Sequence, residues 1–424
     1  MRYRSSFLVG VILIIWFVIS FVTNILGPLM PIIIETYQLS LTMAAFLPFS
    51  FFLAYGVMSI PAGVMIEKLG EKKSMLIAFS LNLLGTLLFA FNPQYSMALA
   101  SLFVIGIGMA MLQVIINPLM RTAGGEENFA FYSVMGQLVF GLASFVSPFV
   151  YAYLIKAMGG QSAGNPLVGA LNSLVKNGLQ WTALYWLFGF IFLFMLILLS
   201  LIKIPRVQLK DDEKAGTASV YMELLKQGKV WFFFLGIVAY VGTEQSLANW
   251  MSEFLKRYHG ANPDTIGINA VAWFWGLMTI GCLLGLVVLK LWDSKLVLKI
   301  AAILSALALT LALFGSQEMA LYAFSVSGLT ISVMFSVVFS LALNSVSKYH
   351  GAFSGILCSG IFGGALVPFV VGFIGDFIGL RYGLMFLYLT LGYIFIVALF
   401  AHPLVNNKTV KFKDVFNSSN TASI

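Results

Sequence analysis

Charge is scarce in this chain. Asp, Glu, Lys and Arg make up 9% of its 424 residues and hydrophobic residues 60%, whereas soluble domains carry roughly 25% charged residues. With a mean hydropathy of +0.97, a soluble domain is excluded and a polytopic helical membrane protein is indicated. Cysteine is nearly absent: Cys282 and Cys358 both sit in apolar runs, so no disulfide framework is implied. The three histidines, His259, His350 and His402, fall at the ends of such runs. Without clustered imidazole or thiol ligands a soft-metal site is excluded. No Gly-x-x-x-x-Gly-Lys-Ser/Thr loop occurs, so ATP does not drive the protein directly. No Ser/His/Asp constellation lies within the apolar runs, which leaves an enzyme without a nucleophile–base pair.

What is present is a series of runs long enough to cross a bilayer, each near the 20 residues a crossing helix needs. They are placed at about 7–30, 43–66, 74–91, 95–120, 131–155, 181–203, 230–255, 266–290, 296–315, 319–346, 352–375 and 382–402. Arg2 and Arg4 precede the first, which continues without a small-residue cleavage pattern and reads as a span rather than a signal peptide. The net charge of +8 suggests a membrane orientation rather than nucleic acid. With both termini cytoplasmic, only Lys156, Lys176, Lys256, Arg257 and Arg381 of the 24 basic residues lie outside. The expected organisation is a six-helix bundle over 1–203, a cytoplasmic linker over 204–229 containing Lys210-Asp211-Asp212-Glu213-Lys214, a second bundle over 230–402, and a polar cytoplasmic tail over 403–424. The segment 159–180, rich in Gly, Ser and Asn, reads as an external surface loop.

Internal repeats support that division. Gly63, Glu67, Gly70 and Lys72 recur at the same spacing as Gly372, Asp376, Gly379 and Arg381, on opposite membrane faces. Pro148, Ala152, Lys156 and Gly159 follow Pro368, Gly372, Asp376 and Gly379 more loosely. Inverted repeats nested in parallel halves produce such a pattern.

The stretch Tyr240-Val-Gly-Thr-Glu-Gln-Ser-Leu-Ala-Asn-Trp250 stands out within the seventh span. At 1.5 Å per residue Glu244 lies about 20 Å into a hydrocarbon layer about 30 Å thick. A carboxylate there faces protein or a watered cavity and marks a site. The alternative is an interhelical hydrogen bonder of structural use only.

Twelve spans, a central linker and Gly63-Val-Met-Ile-Glu67-Lys-Leu-Gly70-Glu-Lys72-Lys73 together resemble the major facilitator superfamily, with Glu in place of the usual Asp. The resemblance sharpens to its fucose permease branch, which holds fucose–galactose–proton symporters and sodium-dependent glucose relatives. The matching pieces include Asn24-Ile-Leu-Gly-Pro28, Leu112-Gln-Val-Ile-Ile-Asn-Pro118, Tyr240-Val-Gly-Thr-Glu244 and Gly363-Gly-Ala-Leu-Val-Pro368. This implies an all-α integral membrane fold of twelve transmembrane helices in two pseudo-symmetric bundles. It also implies alternating access, no cofactor, and a monosaccharide substrate moved across a bacterial inner membrane by a monomer.

Departures bear on coupling. Proton-coupled members carry acids where Asn24 and Gln113 stand, and neither amide titrates. The branch's Gly-Arg of the eighth span reads Gly281-Cys282.

Sugars are held by amide and carboxylate hydrogen bonds with aromatic rings against their apolar face. The candidate ligands are Asn24, Gln113, Asn117, Gln137, Gln245, Asn249, Trp250, and Trp273 or Trp275. Asn117 has a second reading, satisfying backbone freed by Pro118. Glu244 is the candidate for cation coupling, with Na+ favoured over H+ because amides ligate hard cations and exchange no protons. A latch is expected from Gly63, Glu67, Gly70, Lys72 and Lys73, repeated at Asp376 and Arg381. Rival expectations are an exporter of amphipathic compounds, an uncoupled facilitator, and a transport-dead sensor or scaffold.

Overall fold

The structure, a computed structural model, describes residues 6–125, 129–158, 166–176, 178–207 and 218–404. Among them are twelve helices long and apolar enough to cross a membrane. In chain order they are α1 (Ser6–Tyr37), α2 (Leu41–Leu69), α3 (Glu71–Phe91), α4 (Tyr95–Gly124), α5 (Phe129–Lys156), α6 (Gln180–Leu201), α7 (Gly228–His259), α8 (Pro263–Leu291), α9 (Ser294–Phe314), α10 (Gln317–Leu343), α11 (His350–Ile378) and α12 (Leu380–Phe400). With an even number of passes, both ends of the described chain lie on one face, called here the terminal face; the opposite one is the far face.

The helices run further than hydropathy suggests. The first was expected to end near residue 30 but continues to Tyr37, and the seventh runs to His259. Backbone hydrogen bonds carry a helix past the last lipid-facing residue, because its N–H and C=O groups need partners wherever water is excluded. Most connections are accordingly short. Gly70 (φ 82°, ψ 163°) turns α2 into α3, and Gly379 (φ 101°, ψ 147°) turns α11 into α12. Gly125 (φ 88°, ψ 146°) follows α4. This backbone region is essentially closed to side-chain-bearing residues, so the three glycines share one backbone requirement.

Two further elements interrupt segments expected to lack structure. A helix at Pro166–Leu174 occupies part of the expected loop. Another at Ala218–Leu225 lies in the linker, where Trp231 Nε1 donates to the Leu225 carbonyl (2.8 Å). The charged run at 210–214 and the tail from 405 lie outside the described residues.

Packing repeats with an offset of six helices. α2 packs on α4, α3 on α4 and α6, and α1 on α5; correspondingly α8 packs on α10, α9 on α10 and α12, and α7 on α11. The chain therefore forms two six-helix bundles of like topology. They meet along α2–α11, α5–α8 and α1–α7. Close approach at that seam depends on glycine: a Cβ on Gly27 of α1 would collide with the Ala248 carbonyl of α7, and one on Gly141 of α5 with Thr279 of α8. Small residues let membrane helices approach at backbone distance.

Candidate functional site

Three helices lose regularity within their spans. α1 breaks at Asn24–Ile25, α10 at Ser332–Val333, and α11 passes through a 3-10 turn at Gly360–Phe362. Irregular backbone inside a bilayer is tolerated where it is buried in protein or lines a cavity. Here Asn24, Ser332, Val333 and Ile361 all line a cavity of about 410 Å³ between the two bundles. That volume falls within the 300–1,000 Å³ typical of small-molecule sites. Its walls come from α1, α2, α4 and α5 on one side and α7, α8, α10 and α11 on the other. The lining residues lie in the middle and terminal-face halves of those helices, as with Gln113, Gln137, Leu286 and Leu289.

Glu244 sits on the α7 wall. Gln245 Nε2 donates to its Oε1 at 3.0 Å, and Tyr240, one turn earlier on α7, lines the same cavity. Among the described residues lining the cavity, Glu244 is the one acidic side chain, and no Lys, Arg or His joins it. Cys282 faces it from α8 and donates to the Ser332 carbonyl (3.5 Å).

Across the cavity Asn24 is held by Ser144 on α5, to which its amide donates at 2.8 Å. Ser144 and Ser20 hydroxyls lie 2.5 Å apart, fixing the α1 break against α5. Gln113 of α4 and the exposed Gln137 of α5 complete the amide wall. Aromatic rings frame it: Trp16 meets Phe140 edge-on (6.0 Å), Phe52 lies beside Tyr55 (5.9 Å), and Tyr240 beside Phe335 (5.7 Å). Trp275 also lines the cavity.

The structure therefore gathers Asn24, Gln113, Gln137, Glu244 and Gln245 round one space, and keeps three other candidates out of it. Asn249 is buried (2% exposed) outside the cavity lining. Trp250 is fully buried with its Nε1 on the Pro368 carbonyl (3.2 Å), committed to α7–α11 packing. Trp273 is 49% exposed on the outside of α8 against Phe145 (5.4 Å), and Trp275 takes the inward position two residues on. Asn117 lies on α4, but its side chain is outside the described set. Tyr240, Thr279 and Ser336 line the cavity without having been singled out as ligands. The one signal for them is helical spacing, four residues from Glu244, Trp275 and Ser332 respectively.

The residues expected to form a latch make the following contacts. Lys72 does not reach across the seam: its Nζ donates to the Ser200 and Ile202 carbonyls (2.9 and 2.6 Å) at the end of α6, within its own bundle. A lysine at a helix C-terminus finds unpaired carbonyls nearby. The Glu67 carbonyl accepts from Arg206, again within that bundle. Lys73 is exposed. Arg381 stacks over Tyr258 (4.6 Å) and Phe314 (5.8 Å) of its own half. Asp376 does cross. On the far face its two oxygens accept the Leu41 and Thr42 N–H groups, both at 2.8 Å, from the first turn of α2. Lys256 of α7 pairs with Glu35 of α1 at the same face.

The family described as Major Facilitator Superfamily matches residues 12–357. A glucose/galactose transporter of Brucella abortus biovar 1 (strain 9-941) is 29% identical over 376 residues, 87% of each chain. An L-fucose-proton symporter of Escherichia coli (strain K12) is 24% identical over 383 residues, 86% of each chain. Among solved structures, a major facilitator transporter, FucP, in the outward conformation superposes with a TM-score of 0.67 at 22% identity, covering 93% of this chain and 98% of its own. A bacterial homologue of the human lysosomal transporter Spinster, inward-facing and unoccupied, gives 0.75 at 15% identity, covering 93% and 97%.

Proposed function

The chain belongs to the major facilitator superfamily, and on that premise we propose that it carries a hexose or deoxyhexose across the bacterial inner membrane by alternating access, coupled to a cation at Glu244. The observation that carries this reading is one carboxylate without a counter-cation, set among amides and aromatic rings in the cavity between the bundles. Asn24, Gln113, Gln137 and Gln245 offer paired donors and acceptors to sugar hydroxyls, while Trp16, Trp275 and Phe52 offer faces to the ring. The names of the glucose/galactose and L-fucose relatives support the same substrate class. A negative charge in a low-dielectric cavity calls for a positive one. With amides at Asn24 and Gln113, oxygen ligation of Na+ is favoured over proton uptake.

The terminal face is cytoplasmic in this reading, from the excess of Lys and Arg on that side. Residues 6–203 and 230–402 act as the two moving bodies. Asp376 on the α2 N-terminus and Lys256 on Glu35 hold the outside shut. An amphipathic substrate is the second reading, favoured by the apolar terminal-side wall of Leu283, Leu286 and Leu289.

The test is uptake of D-glucose, D-galactose and L-fucose into proteoliposomes under separately imposed Na+ and pH gradients, for wild type and Glu244→Gln. Accumulation driven by Na+ and lost in Glu244→Gln, with exchange at equal concentrations retained, is expected. Accumulation driven by pH alone, or undiminished in the variant, overturns the coupling assignment. Failure to carry any hexose overturns the substrate.

A further inference from the structure

The outer half of α7 carries polar groups that the cavity does not use. Asn249 and Glu253 lie one helical turn apart, and each is 2% exposed. The Asn249 Nδ2 and the Glu253 Oε2 are both buried without a hydrogen-bond partner. The other Glu253 oxygen is paired with Arg257. Buried polar atoms without partners cost free energy, and each one in a native protein calls for an explanation.

Neighbouring positions fix where these side chains face. Ala248 meets Gly27 of α1, and Lys256, two turns on, pairs with Glu35 of the same helix. On the other flank Trp250 donates to Pro368 of α11 and touches Gly372, which itself sits against Leu41 and Ala45 of α2. Side chains three and four apart share a helix face. The stripe 249–253 therefore lies between a row facing α1 and a residue facing α11 and α2. That is the far side of the seam between the bundles, about 13.5 Å along the axis from Glu244 at nine residues of 1.5 Å.

The chemistry of the pair selects its ligand. Asn249 presents a donor and Glu253 an acceptor, so a group that both accepts and donates satisfies them together. A hydroxyl does this; a metal cation leaves the amide N–H unpaired. Arg257 already balances the carboxylate charge, which further disfavours a cation. We propose that Asn249 and Glu253 form a second hydroxyl-binding subsite for the transported sugar, reached when the far side of the seam opens. This rests on the hexose reading above. In the closed seam the Asn249 Nδ2 and the Glu253 Oε2 wait unpaired; on opening they face the vestibule through which a sugar reaches the cavity.

A thermodynamic cycle between one sugar hydroxyl and one side chain tests this. Half-saturating concentrations for uptake into proteoliposomes are measured for D-glucose, D-galactose and their complete sets of monodeoxy analogues, in wild type, Asn249→Ala and Glu253→Gln. In wild type, removal of one particular hydroxyl is expected to weaken uptake about tenfold, the worth of one hydrogen bond to a charged group. Both variants should lose that discrimination while keeping it at other ring positions. A variant that merely alters seam opening shifts every analogue by one common factor, and that result overturns the subsite. So does an unchanged deoxy profile. If Asn249→Ala does not fold, Glu253→Gln reads the same cycle by itself. Wild type that carries no hexose removes the sugar reading and this subsite together, whereas hexose uptake with an additive cycle removes the subsite alone.

Discussion

Replacing Asp376 should loosen the far face without damaging either bundle. Its carboxylate accepts two N–H groups from the first turn of α2, each at 2.8 Å, across the seam between the halves. In a buried setting each bond to a charged acceptor is worth about 1.5 kcal/mol or more, and the α2 dipole adds roughly 0.3–1 kcal/mol. Asp376 is largely exposed, so solvent screening cuts the total to roughly 1–2 kcal/mol. Asp376→Asn keeps one acceptor oxygen and removes the charge, for a loss of about 1 kcal/mol, or fivefold in the closed-to-open ratio. Asp376→Ala should give about tenfold. The α2 helix retains its own cap, because the Ser40 hydroxyl accepts from the Met43 N–H at 3.2 Å. Thermal stability should therefore move little. Spin labels at Gln94 and Glu318, both exposed on the far face in opposite halves, report the distance between bundles. The longer-distance population should grow in the order wild type, Asp376→Asn, Asp376→Ala. Unchanged distance distributions in both variants refute the reasoning, as does a melting temperature that collapses along with the shift.

Other outcomes follow from the same geometry. Lys72→Ala should cost about 1 kcal/mol of stability through the lost α6 carbonyl contacts and leave the far-face distances unchanged, because its partners lie in its own bundle; thermal melts and the same spin labels check both halves of that statement. Gly27→Val should overpack the α1–α7 contact by about 1–3 kcal/mol and shift the population toward a far-open seam, measured as above. Trp275→Ala should weaken hexose binding, while Trp273→Ala, on the outer face of α8, should leave it unchanged in equilibrium titrations. Cys282, which lines the cavity, should react with small polar thiol reagents applied from the terminal face and be protected by substrate, whereas Cys358, outside the lining, should gain no protection.

The sequence by itself determined the membrane class, the number of spans and the polar residues able to form a site. These are readable one helix at a time: a run of about 20 apolar residues has one solvent it can occupy, and Asn24, Gln113 and Glu244 stand out because each interrupts such a run. The repeated spacing of Gly70 and Gly379 was legible too, but that both serve as turns with positive φ came from the structure.

The tertiary structure decided which way each helix is turned. Glu244 and Asn249 lie little more than one turn apart on α7, yet one lines the cavity and the other is sealed into the far seam. Trp273 is half exposed on the outside of α8, while Trp275, two residues on, lines the cavity. Asp376 and Lys72 carry equivalent-looking loop motifs, but only Asp376 meets a helix N-terminus of the other half, while Lys72 meets carbonyls of its own. Hydropathy reports transfer from water to an apolar medium and carries no direction around the helix axis when nearly every residue is apolar. Rotation is set by close packing at contacts such as Gly27 on Ala248, where side chains from distant parts of the chain meet only after folding.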